Sequence, residues 1–331
     1  MVFHFPYIFL AFFTTLVFAV SHGTKYYSPE LYWKTVLPNT PMPKAVSDLL
    51  IHNPKAAHNR AKPPPLPPLP PYKPAQLPAI TLPPILVLTT YAVSSETKLL
   101  HQNPNPNVAL FFLEKDIQPG TKLLDLDFIK SSNKAATFLP RQQAQSIPFS
   151  SKKVPEILNQ LSVKPHSAEA AMVKQTIEEC EARSSIRGEE KYCATSLESM
   201  IDFTTSKLGK NLQAISTQVE NDHSAMHNCT ITQVEKKRNS AGSGVRTVAC
   251  HKQNYPFAVF YCHTTQATET YVVSLVGGDD DGTKAEAVVA CHKDTSQWNP
   301  NHLAFQMLKV KPGTVPICHF LPEDHIVWIQ N

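Results

Sequence analysis

Four Cys-His dipeptides stand at Cys250-His251, Cys262-His263, Cys291-His292 and Cys318-His319, with 10, 27 and 25 residues between them, and 8 residues part the last from Trp328. They use four of the chain's seven cysteines. Thiols pair or ligate metals, and imidazoles ligate metals or move protons, so the array asks for a site that needs both chemistries. The dipeptides follow Val248-Ala249, Phe260-Tyr261, Val289-Ala290 and Pro316-Ile317, and each reads as part of a strand. Neighbouring side chains on a strand point to opposite faces. Four sulfurs therefore face one way, available for two disulfides, and four imidazoles face the other, available as ligands. One histidine on a strand is more often a packed or surface residue than a ligand. Four at equivalent places, with His302 and His325 nearby in sequence, favour a metal site. Imidazole-rich ligation outside the cell suits copper(II) or zinc, and affinity alone favours copper. Mixed Cys-His zinc sites are the rival if the strand reading fails.

The compartment follows from the N-terminus. A run of aromatic and aliphatic residues from Phe5 to Val20 is too short to span a bilayer and ends in the small residues Ala19 and Ser21, which reads as a secretory signal over residues 1–21. No later apolar run reaches spanning length, so no integral membrane segment is expected after signal removal. In an oxidising compartment disulfides become the default state of cysteine. Cys180 and Cys193 enclose a short connection between two expected helices and are expected to pair, contributing about 3 kcal/mol by restricting the unfolded chain. Cys229 is left over, as a free, buried or intermolecular cysteine. It lies inside the sequon Asn228-Cys229-Thr230, which makes Asn228 the candidate glycosylation site. The formal charge of +4 on 331 residues, with no basic stripe among aromatics, argues against nucleic acid as a partner. There is no nucleophile elbow, phosphate-cradling glycine loop or helical His-Glu-x-x-His, so acyl-transfer and phosphate chemistries find no support.

The elements that must position these residues come late in the chain. Between Pro63 and Pro84 half of the residues are proline, which removes backbone donors and favours an extended spacer of about 3.1 Å per residue. Ser150 or Ser151 is expected to cap a helix through Leu161, and Ser167 one to about Cys180. Thr195-x-x-Glu198 reads as a capping box opening a helix that Gly209 stops. From Leu212 onward, β-branched and aromatic residues alternate with polar ones between turns such as Ala241–Gly244 and Gly277-Gly278-Asp279, giving six to eight strands. The run Asp279–Asp281 reads as a solvated hairpin turn, since it lacks the ligand alternation of a calcium loop. The expected class is α+β: short N-terminal helices followed by a mostly antiparallel, disulfide-linked β-rich domain.

The array CH-x10-CH-x27-CH-x25-CH-x8-W resembles the signature of the plant BURP domain. Ser28 to Val46 (SPELYWKTVLPNTPMPKAV), Asn107 to Asp116 (NVALFFLEKD) and Lys191 to Met200 (KYCATSLESM) resemble its dehydration-responsive subfamily. Composition and the resemblance together divide the chain into a signal (1–21), an N-terminal segment with the Tyr32-Trp33 motif (22–60), a proline-rich linker (61–84), a further linker (85–107) and the domain (108–331). It implies a secreted protein of the cell wall or apoplast, responsive to abiotic stress, with wall polysaccharide or wall proteins as partners. Some members are copper-dependent peptide cyclases that crosslink an aromatic side chain of their own precursor. By residue correspondence His251, His263, His292 and His319 are then the copper ligands, and Tyr26, Tyr27, Tyr32, Trp33, Tyr72 and Tyr91 the conceivable crosslinking residues. No aromatic core is repeated in tandem, which disfavours the cyclase reading, and no catalytic residue is assigned.

Overall fold

The computed structural model describes residues 28–50, 111–123, 126–128, 136–184, 186–220, 225–226, 229–237, 247–265, 267–278 and 282–331. The expected signal, the proline-rich and following linkers, Asn228, the Ala241–Gly244 turn and Asp279–Asp281 lie outside the described residues.

Seven α-helices and fourteen strands carry the described chain. The helices are α1 (Pro29–Val36), α2 (Lys44–Ser47), α3 (Arg141–Ser146), α4 (Val154–Gln160), α5 (Ala168–Glu181), α6 (Leu197–Leu208) and α7 (Leu303–Leu308). The strands are β1 (Phe112–Leu113), β2 (Lys122–Leu123), β3 (Leu126–Asp127), β4 (Lys191–Ala194), β5 (Leu212–Ile215), β6 (Gln218–Val219), β7 (Ala225–Met226), β8 (Cys229–Lys237), β9 (Thr247–Lys252), β10 (Phe260–Thr265), β11 (Thr268–Val276), β12 (Lys284–His292), β13 (Ile317–Phe320) and β14 (Ile326–Gln330). The strand pairings among them are antiparallel, in a seven-stranded sheet ordered β1-β13-β12-β11-β8-β2 with β6 on β12, a five-stranded sheet ordered β4-β10-β9-β14-β5, and the pair β3-β7. The class is thus α+β with a β-rich, disulfide-linked domain.

The two large sheets meet face to face. Val288 and Leu321 from the larger sheet pack against Val327 and Ile329 of β14, and Thr217 ties the seam by donating to Leu321 O and accepting from Val288 N. Side-chain alternation then gives each sheet an outer face with its own core. Outside the five-stranded sheet, Val248, Cys250, Phe260, Cys262, Ile326 and Trp328 pack beneath α6. Outside the larger sheet, Val289, Cys291, Cys318 and Phe320 pack with Phe112, Tyr271 and Val273.

Two caps depart from the sequence expectation. The residue that caps α6 is Ser196, in a reciprocal box with Ser199; Thr195 and Glu198 do not form it. Glu198 is buried and accepts a hydrogen bond from Arg141 N, so a residue of capping type serves a tertiary contact. Gly209 ends the helix at φ +78°, where a side chain would be strained. At the first expected helix, Ser151–Lys153 form a 3-10 turn and the α-helix begins at Val154 with Pro155 in its first turn. Ser150 does not cap it, because its hydroxyl donates to Glu181. Ser167 caps α5 through Ala170 N.

The Tyr32-Trp33 motif lies on α1, capped by Ser28 with Pro29 in the first turn. Trp33 is 2% exposed and its ring lies 5.2 Å from that of Trp328. Its indole donates to Thr40 O, and Thr40 donates to Leu212 O at the edge of the five-stranded sheet. Phe138 N adds a bond to Leu49 O. The N-terminal segment is therefore packed into the same core as the last strand. Trp33→Ala should cost about 3–5 kcal/mol, read as a lower guanidinium midpoint of the oxidised chain; a loss under about 1 kcal/mol would show that the segment is not part of this cooperative unit.

Candidate metal centre

Each Cys-His dipeptide is strand, and the strand pairing decides what its two side chains meet. Cys250 stands opposite Cys262 in the β9–β10 register, and Cys291 stands opposite Cys318 between β12 and β13. Both couples are disulfides, buried in the two outer cores, and a third bridge joins Cys180 to Cys193. Cys229 is the free cysteine; burial in the second core pushes its thiol up to about 11, which removes it from thiolate chemistry.

The histidines turn the other way, into the seam between the sheets. All four line one cavity of about 30 Å³, with Thr247, Ala249, Thr265, Thr268, Thr270, Ala290, Leu321 and Val327. That volume holds an ion or about one or two waters. Alanine and threonine leave the space that the imidazoles fill. Within it the rings form two couples: His251 Nε2 lies 3.1 Å from His263 Nε2, and His292 Nε2 lies 3.2 Å from His319 Nε2, with ring planes 25° and 19° apart. Each couple thus comes from a disulfide-linked strand pair, one in each sheet.

The outer nitrogens settle the protons. His319 Nδ1 lies 3.0 Å from Phe320 O, which only accepts, so Nδ1 carries the hydrogen and Nε2 is a lone pair. Glu189 Oε1 stands 2.5 Å from His263 Nδ1 without hydrogen-bond direction, and its negative charge favours a hydrogen at that nitrogen. Burial alone would raise the Glu189 carboxyl; its contacts with His263, Ser184 and Lys191 outweigh that and hold it below its ordinary range. On the partner rings, His251 Nδ1 faces His325 Nδ1 at 3.0 Å and His292 Nδ1 faces Thr268 Oγ1 at 3.1 Å. Burial, reinforced by the neighbouring imidazoles, drives His251 and His292 well below the usual histidine range, and burial takes His319 and His325 down to about 4. Those four rings are neutral at pH 7.

Neutral imidazoles are the form that ligates metals. Two ligands on a tetrahedral ion with bonds of about 2.0 Å stand about 3.3 Å apart, close to the separation in each couple. For both Nε2 atoms of a couple to face a cation, the hydrogens of His251 and His292 must sit on Nδ1, where His325 and Thr268 offer acceptors. A carboxylate, a carbonyl, a hydroxyl and an imidazole thus back the four rings, the kind of outer support that orients metal-bound histidine. The residues present fit an imidazole-held metal. Among the described residues, however, no group of three His, Cys, Asp or Glu side chains is arranged to hold one ion; the site is two couples across a seam. His302 stands apart, accepting from Ala304 N at the start of α7. Trp298 bridges to it, its ring 4.9 Å from His292 and 4.8 Å from His302. Glu189, Thr268 and Trp298 are contributions that sequence reasoning missed, and nothing in their local spacing signals them.

This chain belongs to the BURP domain family, whose model matches residues 110–330. It is 52% identical over 239 residues to BURP domain-containing protein 3 of Oryza sativa subsp. japonica, covering 72% of this chain and 54% of that protein. It is also 52% identical over 243 residues to BURP domain protein RD22 of Arabidopsis thaliana, covering 72% and 60%. BURP domain-containing protein 5 of Oryza sativa subsp. japonica is 42% identical over 309 residues, 92% of this chain and 87% of that protein. The match spans somewhat more than half the length of the first two relatives.

The neutral rings give acid lability a definite sign. His319 and His325 fall from 6.5 to about 4 in the folded chain, so between those values the unfolded state binds more protons. Stability of the metal-free protein is then full above about 6.5 and is lost as pH falls toward 4, on the order of 3 kcal/mol for each such ring. Urea midpoints at pH 7, 6, 5 and 4 should show the decline; a flat profile down to pH 5 would mean that the rings are not buried in neutral form.

Proposed function

We propose that this protein is a secreted, wall-associated BURP-domain protein of the dehydration-responsive type, and that His251, His263, His292 and His319 hold copper. The observation that carries the metal reading is the pairing of imidazoles at 3.1 and 3.2 Å in one cavity. Copper rather than zinc follows from the affinity order for nitrogen ligands. Bound copper would supply one-electron redox chemistry. The chain's own part is to keep His251, His292 and His319 neutral, aim each Nε2 into the seam and exclude bulk water with Leu321 and Val327.

Secretion is supported by the apolar N-terminal run and by three disulfides, which persist in oxidising compartments. No helix among the described residues is long and apolar enough to cross a membrane. The stress and wall association, with wall polysaccharide or wall protein as partner, rests on the subfamily resemblance and the 52% identity to RD22. Cyclisation of the chain's own aromatic residues is the less favoured reading. Trp33 is enclosed against Trp328, and the Tyr32 hydroxyl bonds Asp202 while its ring lies under the Arg141 guanidinium. Tyr26, Tyr27, Tyr72 and Tyr91 lie outside the described residues.

Protein purified from a secretory host and dialysed should retain copper by elemental analysis, and replacing all four histidines with alanine should remove it. Copper content unchanged by that replacement would sink the metal reading. Peptide masses after incubation with copper and oxygen separate the two functions. Unchanged masses are expected, whereas loss of two hydrogens from a Tyr72 or Tyr91 peptide would establish the cyclase instead.

A further inference from the structure

The two histidine couples differ in what stands behind them. His319 leans on the carbonyl of Phe320, part of the strand itself. His263 leans on Glu189, a side chain in the loop between α5 and β4. This loop is closed by Cys180–Cys193, and both cysteines are half-buried, while the cysteines of the other two bridges are wholly buried. A small reductant therefore meets the loop's bridge first.

Non-covalent contacts also fasten the loop: Glu190 O accepts from Thr264 N, Glu190 pairs with Lys207, and Lys191 Nζ donates to Glu179 O. Ser184 Oγ bonds the Glu189 carboxylate and accepts from Ile186 N, contacts internal to the loop. Arg187 N donates to Gln297 Oε1 at 2.7 Å, in the segment that carries Trp298, and Glu190 is bonded to Thr264 on β10. β4 is the edge strand of its sheet, so beyond β10 it has no strand neighbour among the described residues. Beyond the main chain itself, the bridge is the covalent cross-link between the end of α5 and that edge.

We propose that Glu189 is the positioning residue for the His251–His263 couple and that the Cys180–Cys193 bridge holds it there, so that a dithiol acts on this half of the seam and leaves the other unchanged. In the reduction two electrons and two protons pass from the dithiol: the S–S bond breaks, Cys180 and Cys193 become thiols, and the reductant leaves as its own cyclic disulfide. Freed from α5, the loop carries the carboxylate off His263 Nδ1. The ring then loses the partner that kept its hydrogen on Nδ1 and its Nε2 lone pair directed inward. The His292–His319 couple, backed by Phe320 O and Thr268, has no such dependence.

The metal-free, 15N-labelled full chain tests this through long-range proton–nitrogen correlations of the imidazole rings, which report the tautomer of each. In the wild type His263 and His319 should both show protonated Nδ1 and bare Nε2. Glu189→Gln, and separately the double variant Cys180→Ser with Cys193→Ser, should move His263 toward a mixture of tautomers with His319 unchanged; Glu189→Asp should keep part of the wild-type pattern. Unchanged His263 signals in either the Gln or the double Ser variant would overturn the proposal, and so would equal movement of His319, which signals general loosening. Only the second arm rests on the metal reading: a Cu(II) titration against a competing chelator should show about 10- to 100-fold weaker binding in both variants. If the wild type binds no Cu(II), that reading fails and the tautomer comparison alone decides the role of Glu189.

Discussion

The structure depends on the pleat of a β-strand placing two adjacent side chains on opposite faces. Because each cysteine immediately precedes its histidine, one strand delivers a sulfur to an outer core and an imidazole to the seam between sheets. Antiparallel pairing does the rest. Placing Cys250 opposite Cys262, and Cys291 opposite Cys318, lets each bridge form directly across two strands. The same registers put His251 near His263 and His292 near His319 on the reverse side. A one-residue slip would exchange the two sets and leave thiols in the seam and imidazoles in the hydrophobic cores.

The cavity lining shows how such a site is tolerated. Four imidazoles crowded between sheets would repel one another if charged, and burial makes charge costly. Both effects act in the same direction at His251, His292 and His319, which stay neutral. Their polar edges still need partners, which come from unlike sources: a carboxylate, a carbonyl, a hydroxyl and a further histidine. The chemistry is uniform inside the cavity and heterogeneous behind it. That heterogeneity is what allows two couples of similar geometry to answer differently to their surroundings.

Much of this could be read from local sequence, because alternation and hairpin spacing are local properties. Ten residues between the first two dipeptides suit adjacent strands, and the division of sulfur from nitrogen follows from their being neighbours in the chain. What escaped was set by distant packing. Nothing near Trp33 says that it will lie against Trp328, almost three hundred residues away in sequence. Glu189 is one of two adjacent glutamates in a polar loop, and only the docking of that loop on β10 distinguishes it. The α6 cap moved from Thr195 to Ser196 because either hydroxyl can cap, and the choice falls to Glu198 being drawn inward by Arg141 N. His325 was visible as a nearby histidine, yet its contact with His251 needs β14 beside β9.

The enclosure of Trp33 changes what the long stretch from residue 51 to 110 connects. Leu49 at one end and Phe112 at the other are both buried in the β-rich body. The intervening chain joins two points of that body, so proteolysis anywhere within it would not release a tail. It would yield a nicked molecule in which a short N-terminal peptide stays bound through Trp33, Thr40 and Leu49, and denaturing electrophoresis would report two fragments where gel filtration still finds one particle.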